Sequence, residues 1–384
     1  MNVSNVHYST TYKSFLLWGM LYFFCFLLSY FLFAFLHVQD DTSSFVQALE
    51  LAFGESQTPD RLYRWSKPLA LVLPSFLHLF GVPFLVGLLL QQAISWWLAI
   101  YFFGKINFIL FQDKKQAYLA ALLLLLCQPM AVYGLAGLVD MFGWAYILGV
   151  VYWVMRLPQS ASYRSWIQLG ILLGLGFFIK ESSLIVGLFT FFFVAFQPTT
   201  IRVKLRQYLI IGITFFIVLA LGSWLTWCLF GQTVYHWILF NQQQPPATNW
   251  YYVVQQSYRT LDVFWILIVL GVVHWQRQRR SLSYLWSPLL ATGLVAWLVF
   301  PFLWHYHYDR ILFMNALFLL PLAILGSQWL GPLQLPYILV GGLANLLVAF
   351  GIYRYQIGGL IVYEFLCFGG LLIFATALRY KKKC

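Results

Sequence analysis

The residues that could do chemistry in this sequence are few and gathered at a handful of places. Asp40 and Asp41 stand side by side just after a long apolar run. Adjacent carboxylates repel, and in a partly dehydrated place one of them holds its proton more tightly, as a general base or metal ligand does. The same pair suits a helix start, because "DDTSSFVQALE" carries capping residues ahead of an amphipathic segment. The following "RLYRWSKP" puts Arg61, Arg64 and Lys67 on one loop. Cations there grip an exposed phosphate or snorkel at a membrane surface. In "GFFIKESSLI", Lys180 and Glu181 close the apolar run 165–179. As a helix that run is about 22 Å long, short of a bilayer core of about 30 Å. The pair therefore falls below the surface, lining a wet cavity or neutralising charge at a helix turn. Asp140, in "GLAGLVDMFGW", sits in a tight turn and either caps the next helix or approaches the same cavity. In "FPFLWHYHYDRILF", Arg310 is a further candidate for a phosphate contact. His305, His307 and Asp309 alternate as metal ligands on an extended strand would, while Trp304, Tyr306 and Tyr308 equally fit an interfacial aromatic belt.

What must position these groups is a membrane-embedded scaffold. The chain is 62% hydrophobic and only 9% charged, where a soluble domain carries about a quarter charged residues. Apolar stretches long enough to cross as helices recur throughout, at 14–36, 83–104, 116–134, 141–155, 165–179, 182–197, 207–229, 261–275, 285–303, 311–330, 336–353 and 358–378. The expected fold is an all-α polytopic membrane protein of about 12 transmembrane helices with a long first extracytoplasmic loop. The first stretch is too long, and lacks a small-residue cleavage site, to be a simple secretory signal. The cysteines, Cys25, Cys127, Cys228, Cys367 and Cys384, mostly lie inside apolar runs and show no metal-ligand spacing.

The net charge of +12 is spread between the spans rather than gathered in a basic domain, which argues topology and not nucleic acid. With both termini cytoplasmic, sixteen of the 23 Lys and Arg residues fall inside. The acids do the reverse. Only Asp113 falls inside, while Asp40, Asp41, Glu50, Glu55, Asp60, Asp140, Glu181, Asp262, Asp309 and Glu364 fall outside or in the outer half of a span. Acids contribute little to topology, so their bias calls for another cause, and a site on the outer face supplies one. Two long loops face that way, 37–82 and 230–260. The sequence divides into a catalytic transmembrane module, 1–206, containing the loop 37–82, and a variable module, 207–384, containing the loop 230–260.

In their order along the chain these features resemble the GT-C superfamily of membrane glycosyltransferases, which includes protein O-mannosyltransferases and lipid A aminoarabinose transferases. The features are a first span followed by Asp40-Asp41, an amphipathic outer loop, the basic "RWSKPLALVLPSFLHLFGVP", the turn residue Asp140, and Lys180-Glu181 after the glycine-rich "GLGFFIKESSL". The similarity covers roughly residues 10–200 and the "HYDR" region. Many relatives have Asp-Glu where this chain has Asp40-Asp41, which leaves open which acid is the base. The outer C-terminal domain of larger relatives is not expected in this sequence, which would leave acceptor recognition to the loop 230–260 or to a partner.

The resemblance implies a polyprenyl-phosphate sugar as donor and inversion at the anomeric carbon. Asp40 or Asp41 would deprotonate a hydroxyl of a lipid, glycan or protein acceptor. Arg61, Arg64, Lys67, Lys180 and Arg310 would hold the phosphate, with Asp140 and Glu181 in the same substrate site. A divalent metal is compatible with this chemistry and not required by it. The expected location is the cytoplasmic (inner) membrane. Two rivals remain. An O-antigen polymerase or ligase would depend on the loop 230–260 and on His305 or His307. A lipid-linked glycan transporter would need charges near the midplane reachable from both sides.

Overall fold

In a computed structural model of the chain, the structure describes residues 20, 22, 23, 27, 40–55, 59–134, 139–158, 161–236, 250–278, 284–303, 309–355 and 369. Every regular element among them is helical, as the apolar periodicity requires. In a bilayer core each backbone N–H and C=O must find its partner within the same segment.

The loop after the first apolar run is itself structured. Helix α1 (Asp40–Ala52) begins at the acidic pair. It buries Phe45, Ala48 and Leu49 against Trp65, Ala70, Leu71, Phe84, Leu88 and Val139, a small core separate from the main one. The prolines Pro59 and Pro68 open two 3-10 turns, Pro59–Ser66 and Pro68–Ala70, where a missing N–H costs nothing. The Trp65 indole N–H donates to the Ala48 carbonyl (2.8 Å), which locks the turn onto α1. Helix α2 (Val72–His78) then leads through Gly81, at φ +80°, into α3 (Phe84–Phe111), which Pro83 opens.

Helix α3 ends at Gln112 in the left-handed region, and the Asp113 carboxylate caps α4 (Lys114–Leu125) by accepting from the Lys115 amide at 2.8 Å. A break at Leu126–Cys127 precedes α5 (Gln128–Tyr133), and α6 (Asp140–Met155) and α7 (Tyr163–Ile179) follow. After a 3-10 turn, Glu181–Leu184, come α8 (Ile185–Phe196) and α9 (Ile201–Phe230), the latter stopped by Gly231 at φ +64°. The remainder comprises α10 (Trp250–Arg259), α11 (Phe264–Gln278), α12 (Trp286–Leu303), α13 (Asp309–Leu317), α14 (Leu320–Ser327), a 3-10 turn Gln328–Leu333, and α15 (Gln334–Tyr355).

By length and composition, three helical stretches among the described residues can each cross a bilayer alone: Phe84–Phe111, Ile201–Phe230 and Leu320–Ile352. The last is not one straight rod, since Gly331 (φ 58°, ψ −119°) breaks it ahead of Pro332. Shorter apolar helices at Asp140–Met155, Tyr163–Ile179, Glu181–Phe196, Phe264–Arg277 and Trp286–Val299 complete the bundle, so the multi-pass expectation holds. The expected stretches 14–36 and 358–378 lie almost wholly outside the described residues.

Small residues set the helix contacts. A Cβ on Gly170 or Gly174 of α7 would come within 2.6 or 2.7 Å of Thr214 or Val218 on α9, so this Gly-x-x-x-Gly face lets the two helices touch. The matching offset (170 with 214, 174 with 218) means that they run parallel. Gly149 of α6 likewise receives the ring of Phe102 from α3. Helix α9 turns most of its apolar surface outward, with Leu209, Phe216 and Trp224 each more than 60% exposed, as a lipid-facing helix does.

Candidate active site

Four distant segments bring their charges to one end of the bundle. Lys180 follows the last turn of α7 in an extended conformation (φ −160°, ψ 138°). Consecutive side chains on extended backbone point to opposite sides, so Lys180 and Glu181 part company. Lys180 turns to α6 and pairs with the Asp140 carboxylate. Glu181 turns to the first loop and pairs with Lys67. The sequence offered mutual neutralisation at a turn as one reading, and the structure replaces it with two separate bridges to other segments.

Arg310, at the start of α13, brings Nη1 to 3.9 Å from the second Asp140 oxygen, and its guanidinium lies 5.9 Å from the centre of the Tyr133 ring. Asp140 is thus a pivot with a lysine on one oxygen and an arginine on the other. It opens α6 at the same time, where the helix dipole favours an acid. No cap hydrogen bond to its side chain is needed to account for it.

Arg64 donates through Nε to the Ser44 hydroxyl (3.0 Å) and lies over the rings of Phe45 (4.4 Å) and Tyr63 (4.7 Å). That contact ties the loop to α1, the helix that begins with Asp40 and Asp41. Side-chain positions of Asp40, Asp41 and Arg61 lie outside what is described, as do those of His305, His307 and Asp309. Among the described residues no three His, Cys, Asp or Glu side chains gather as a metal site.

The described cluster holds four cations (Lys67, Lys180, Arg64, Arg310) and two carboxylates (Asp140, Glu181). It is nearly dry, with both ion pairs 4–13% exposed at the side chain. Burial pushes the Lys67 ammonium down to about 8, against the pull of Glu181 and with Lys180 and Arg64 adding repulsion. Such a place suits a bound anion.

Some neighbours escaped the sequence reading. Ser44, Tyr63 and Tyr133 support the cations, and the Ser66, Ser182 and Ser183 hydroxyls are buried without a hydrogen-bond partner beside the charged residues. Only their adjacency to Lys67 and Glu181 could have flagged the serines. Helix α10, the end of the loop 230–260, packs on α13 and so stands next to the element bearing Arg310.

Residues 68–227 match the profile of a family described as dolichyl-phosphate-mannose-protein mannosyltransferase. The structure is similar to a crystal structure of ArnT from Cupriavidus metallidurans bound to undecaprenyl phosphate. Identity is 14%, the TM-score 0.63, and the match covers 96% of this chain and 72% of that one. It is also similar to the apo state of ArnT from the same organism, at 14% identity and TM-score 0.60, covering 94% and 76% of the two chains. No curated protein matches the sequence. The resemblance drawn from the order of the motifs agrees with the family profile over residues 68–227, and the fold is like that of the ArnT structures.

Proposed function

We propose that this GT-C-fold protein is an inverting glycosyltransferase that takes a sugar from a polyprenyl-phosphate donor at the extracytoplasmic face of the membrane. The observation that carries the reading is the buried cluster of Lys67, Lys180, Arg64 and Arg310 around Asp140 and Glu181. Cations held in a dry pocket beside lipid-facing helices fit a phosphate whose chain stays in the bilayer. The family profile over 68–227 supports sugar transfer from such a lipid, and undecaprenyl phosphate is the ligand of the similar ArnT structure.

The chemistry follows from the leaving group. A glycosidase needs two carboxyl groups because its departing alkoxide must be protonated. A phosphate departs without a proton, so one base and an anion-stabilising cluster are enough. The acceptor hydroxyl oxygen attacks the anomeric carbon from the face opposite the phosphate. Its proton passes to Asp40 or Asp41 at the start of α1, and the carbon–oxygen bond to phosphate breaks with its electron pair leaving on the phosphate. Lys67, Lys180, Arg310, Arg64 and Arg61 receive the added charge. Asp140 and Glu181 orient the lysines. The reaction as written needs no metal ion.

The test is sugar transfer from labelled polyprenyl-phosphate sugars in proteoliposomes, comparing the unmodified protein with Asp40→Asn and Asp41→Asn at matched expression. One variant should lose transfer by 100-fold or more while still binding the donor, on the order of the effect of a general base. Transfer unchanged in both variants would overturn the assignment of the base to this pair.

A further inference from the structure

Among the described residues two buried amides, Gln92 and Gln197, have no hydrogen-bond partner at either end, and Gln92 is the one on a helix that packs against α6, which carries Asp140. Gln92 of α3 is 0% exposed, and neither its carbonyl oxygen nor its amide nitrogen has a hydrogen-bond partner. An interior amide normally satisfies both ends, so each unsatisfied one asks for an explanation.

Helical periodicity shows where Gln92 faces. Phe103 of α3, Leu148 and Val151 of α6, and Leu317 of α13 line one small void deep between these helices. Eleven residues make about three turns and seven make about two, each returning to nearly the same face. Gln92 is eleven residues before Phe103, Asp140 eleven before Val151, and Arg310 seven before Leu317. All three therefore stand on the crevice-facing sides of their helices, at the same end. Two observations confirm the alignment of α6 with α13, and the Phe102 ring against Gly149 sets α3 beside α6. Arg310 meets Asp140 at 3.9 Å. One layer deeper, the rings of Trp144 (α6) and Phe313 (α13) meet edge-on with centroids 4.9 Å apart. Trp96 occupies the corresponding layer of α3, and all three aromatic residues are at most 1% exposed.

The geometry points to a neutral polar subsite beside the charged cluster, with Gln92 as a ligand-binding residue and Trp96, Trp144 and Phe313 as its floor. The ligand class is the sugar carried by the donor, so this inference rests on the reading of the protein as a glycosyltransferase. A phosphate only accepts hydrogen bonds, and Lys67, Lys180 and Arg310 supply donors for it. A carboxamide offers two N–H donors and a two-lone-pair acceptor. Its natural complement is a group that donates and accepts at once, as neighbouring sugar hydroxyls do. An apolar floor with a few placed polar groups is the usual make-up of a small-molecule pocket.

The experiment measures binding of undecaprenyl phosphate and of its glucose, mannose and aminoarabinose derivatives to the full-length protein in nanodiscs, for the unmodified protein, Gln92→Met and Gln92→Asn. The expected result is one derivative bound more tightly than the bare lipid phosphate by the unmodified protein. That preference should fall about tenfold in Gln92→Met, the size of one lost buried hydrogen bond. Affinity for bare undecaprenyl phosphate should stay the same. Thermal stability of Gln92→Met should be equal or higher, because an unpartnered amide has been removed. Equal loss for the bare lipid and its derivatives would make Gln92 a packing or phosphate residue and overturn the inference. So would no change for any ligand in either variant, or no derivative preferred over the bare lipid by the unmodified protein. A protein that binds neither the bare lipid nor any derivative would instead sink the glycosyltransferase reading itself.

Discussion

Lys67 and Glu181 are 114 positions apart in sequence and paired in the structure. Both were conspicuous from the outset, because charges are expensive in an apolar chain and a loop that should shed cations had kept three. Their pairing was not legible. Adjacent Lys180 and Glu181 suggest each other on paper, and only the extended backbone at Lys180 shows why they separate. Gln92 drew no notice at all, since a neutral amide stands out only when its missing partners are visible. The buried state of Lys67 has a functional consequence. Its ammonium gives up its proton at about 8 rather than at 10.5. Binding of an anionic lipid phosphate should therefore hold steady from pH 7 toward 8 and weaken above it. Folding linkage runs the other way. Between those two values the unfolded chain keeps a proton that the folded chain has lost, so stability from this group rises with pH across the window. Weaker binding there cannot be put down to a loss of stability through Lys67. Titrating undecaprenyl phosphate affinity between pH 7 and 10 checks this, with Lys67→Arg as control, because arginine stays charged throughout. An unmodified protein whose affinity is flat to pH 10 would remove Lys67 from the phosphate site.

At the level of elements, hydropathy located the helices but not their breaks. The run 116–134 is two helices, α4 and α5, parted at Leu126–Cys127, with Pro129 in the first turn of the second. The run 311–330 is likewise divided between α13 and α14, with Pro321 opening the latter. A hydropathy window averages over such a kink, so proline was the only signal. Helix α3, by contrast, runs on past its expected end at 104 to Phe111, carrying Lys105 with it. The lysine ammonium lies 5.3 Å from the centre of the Tyr101 ring, which gives it company along the helix side. Interhelical packing was invisible in the sequence because a glycine reveals its purpose only opposite its partner. A Cβ on Gly271 of α11 would fall 2.0 Å from the Leu322 carbonyl oxygen of α14, and one on Gly326 would fall 2.0 Å from that of Leu267. These backbones touch, and a backbone oxygen cannot move aside as a side chain can. Gly271→Ala should force the two helices apart and cost about 1–3 kcal/mol or more. Gly212→Ala on α9 meets nothing within 4 Å, and alanine is the better helix former by about 1 kcal/mol. Thermal unfolding in detergent should lower the melting temperature for the first variant and leave or raise it for the second. If both melt alike, the α11–α14 contact is not as close as described.

Across the whole molecule, the contacts themselves fix which turns share an end. Lys67, Asp140, the Lys180–Glu181 turn and Arg310 touch one another, so the segments entering α3, opening α6, leaving α7 and opening α13 all lie at one end of the bundle. The parallel pair α7–α9 agrees, and the Phe230 ring at the far end of α9 stacks on Trp65 at 4.0 Å, which brings the α9 exit to that same end. The turns at the other ends of these helices carry Lys114, Lys115, Arg156, Arg164, Arg202, Lys204 and Arg206. Basic residues stay with the cytoplasmic loops, so this second end should face the cytoplasm and the ion-pair end should face out. The acid excess on the outer side then has its cause in the site rather than in topology. Cysteine placed singly in a cysteine-free background tests the assignment. Glu55→Cys sits on an exposed residue close to the site end, and Lys114→Cys on an exposed residue at the opposite end. A membrane-impermeant maleimide applied to intact cells should label the first and spare the second until the membrane is opened. Labelling in the reverse order would place the phosphate cluster on the cytoplasmic side. Sugar transfer at the extracytoplasmic face would then be ruled out, while the pairing of charges and the fold that produces it would stand.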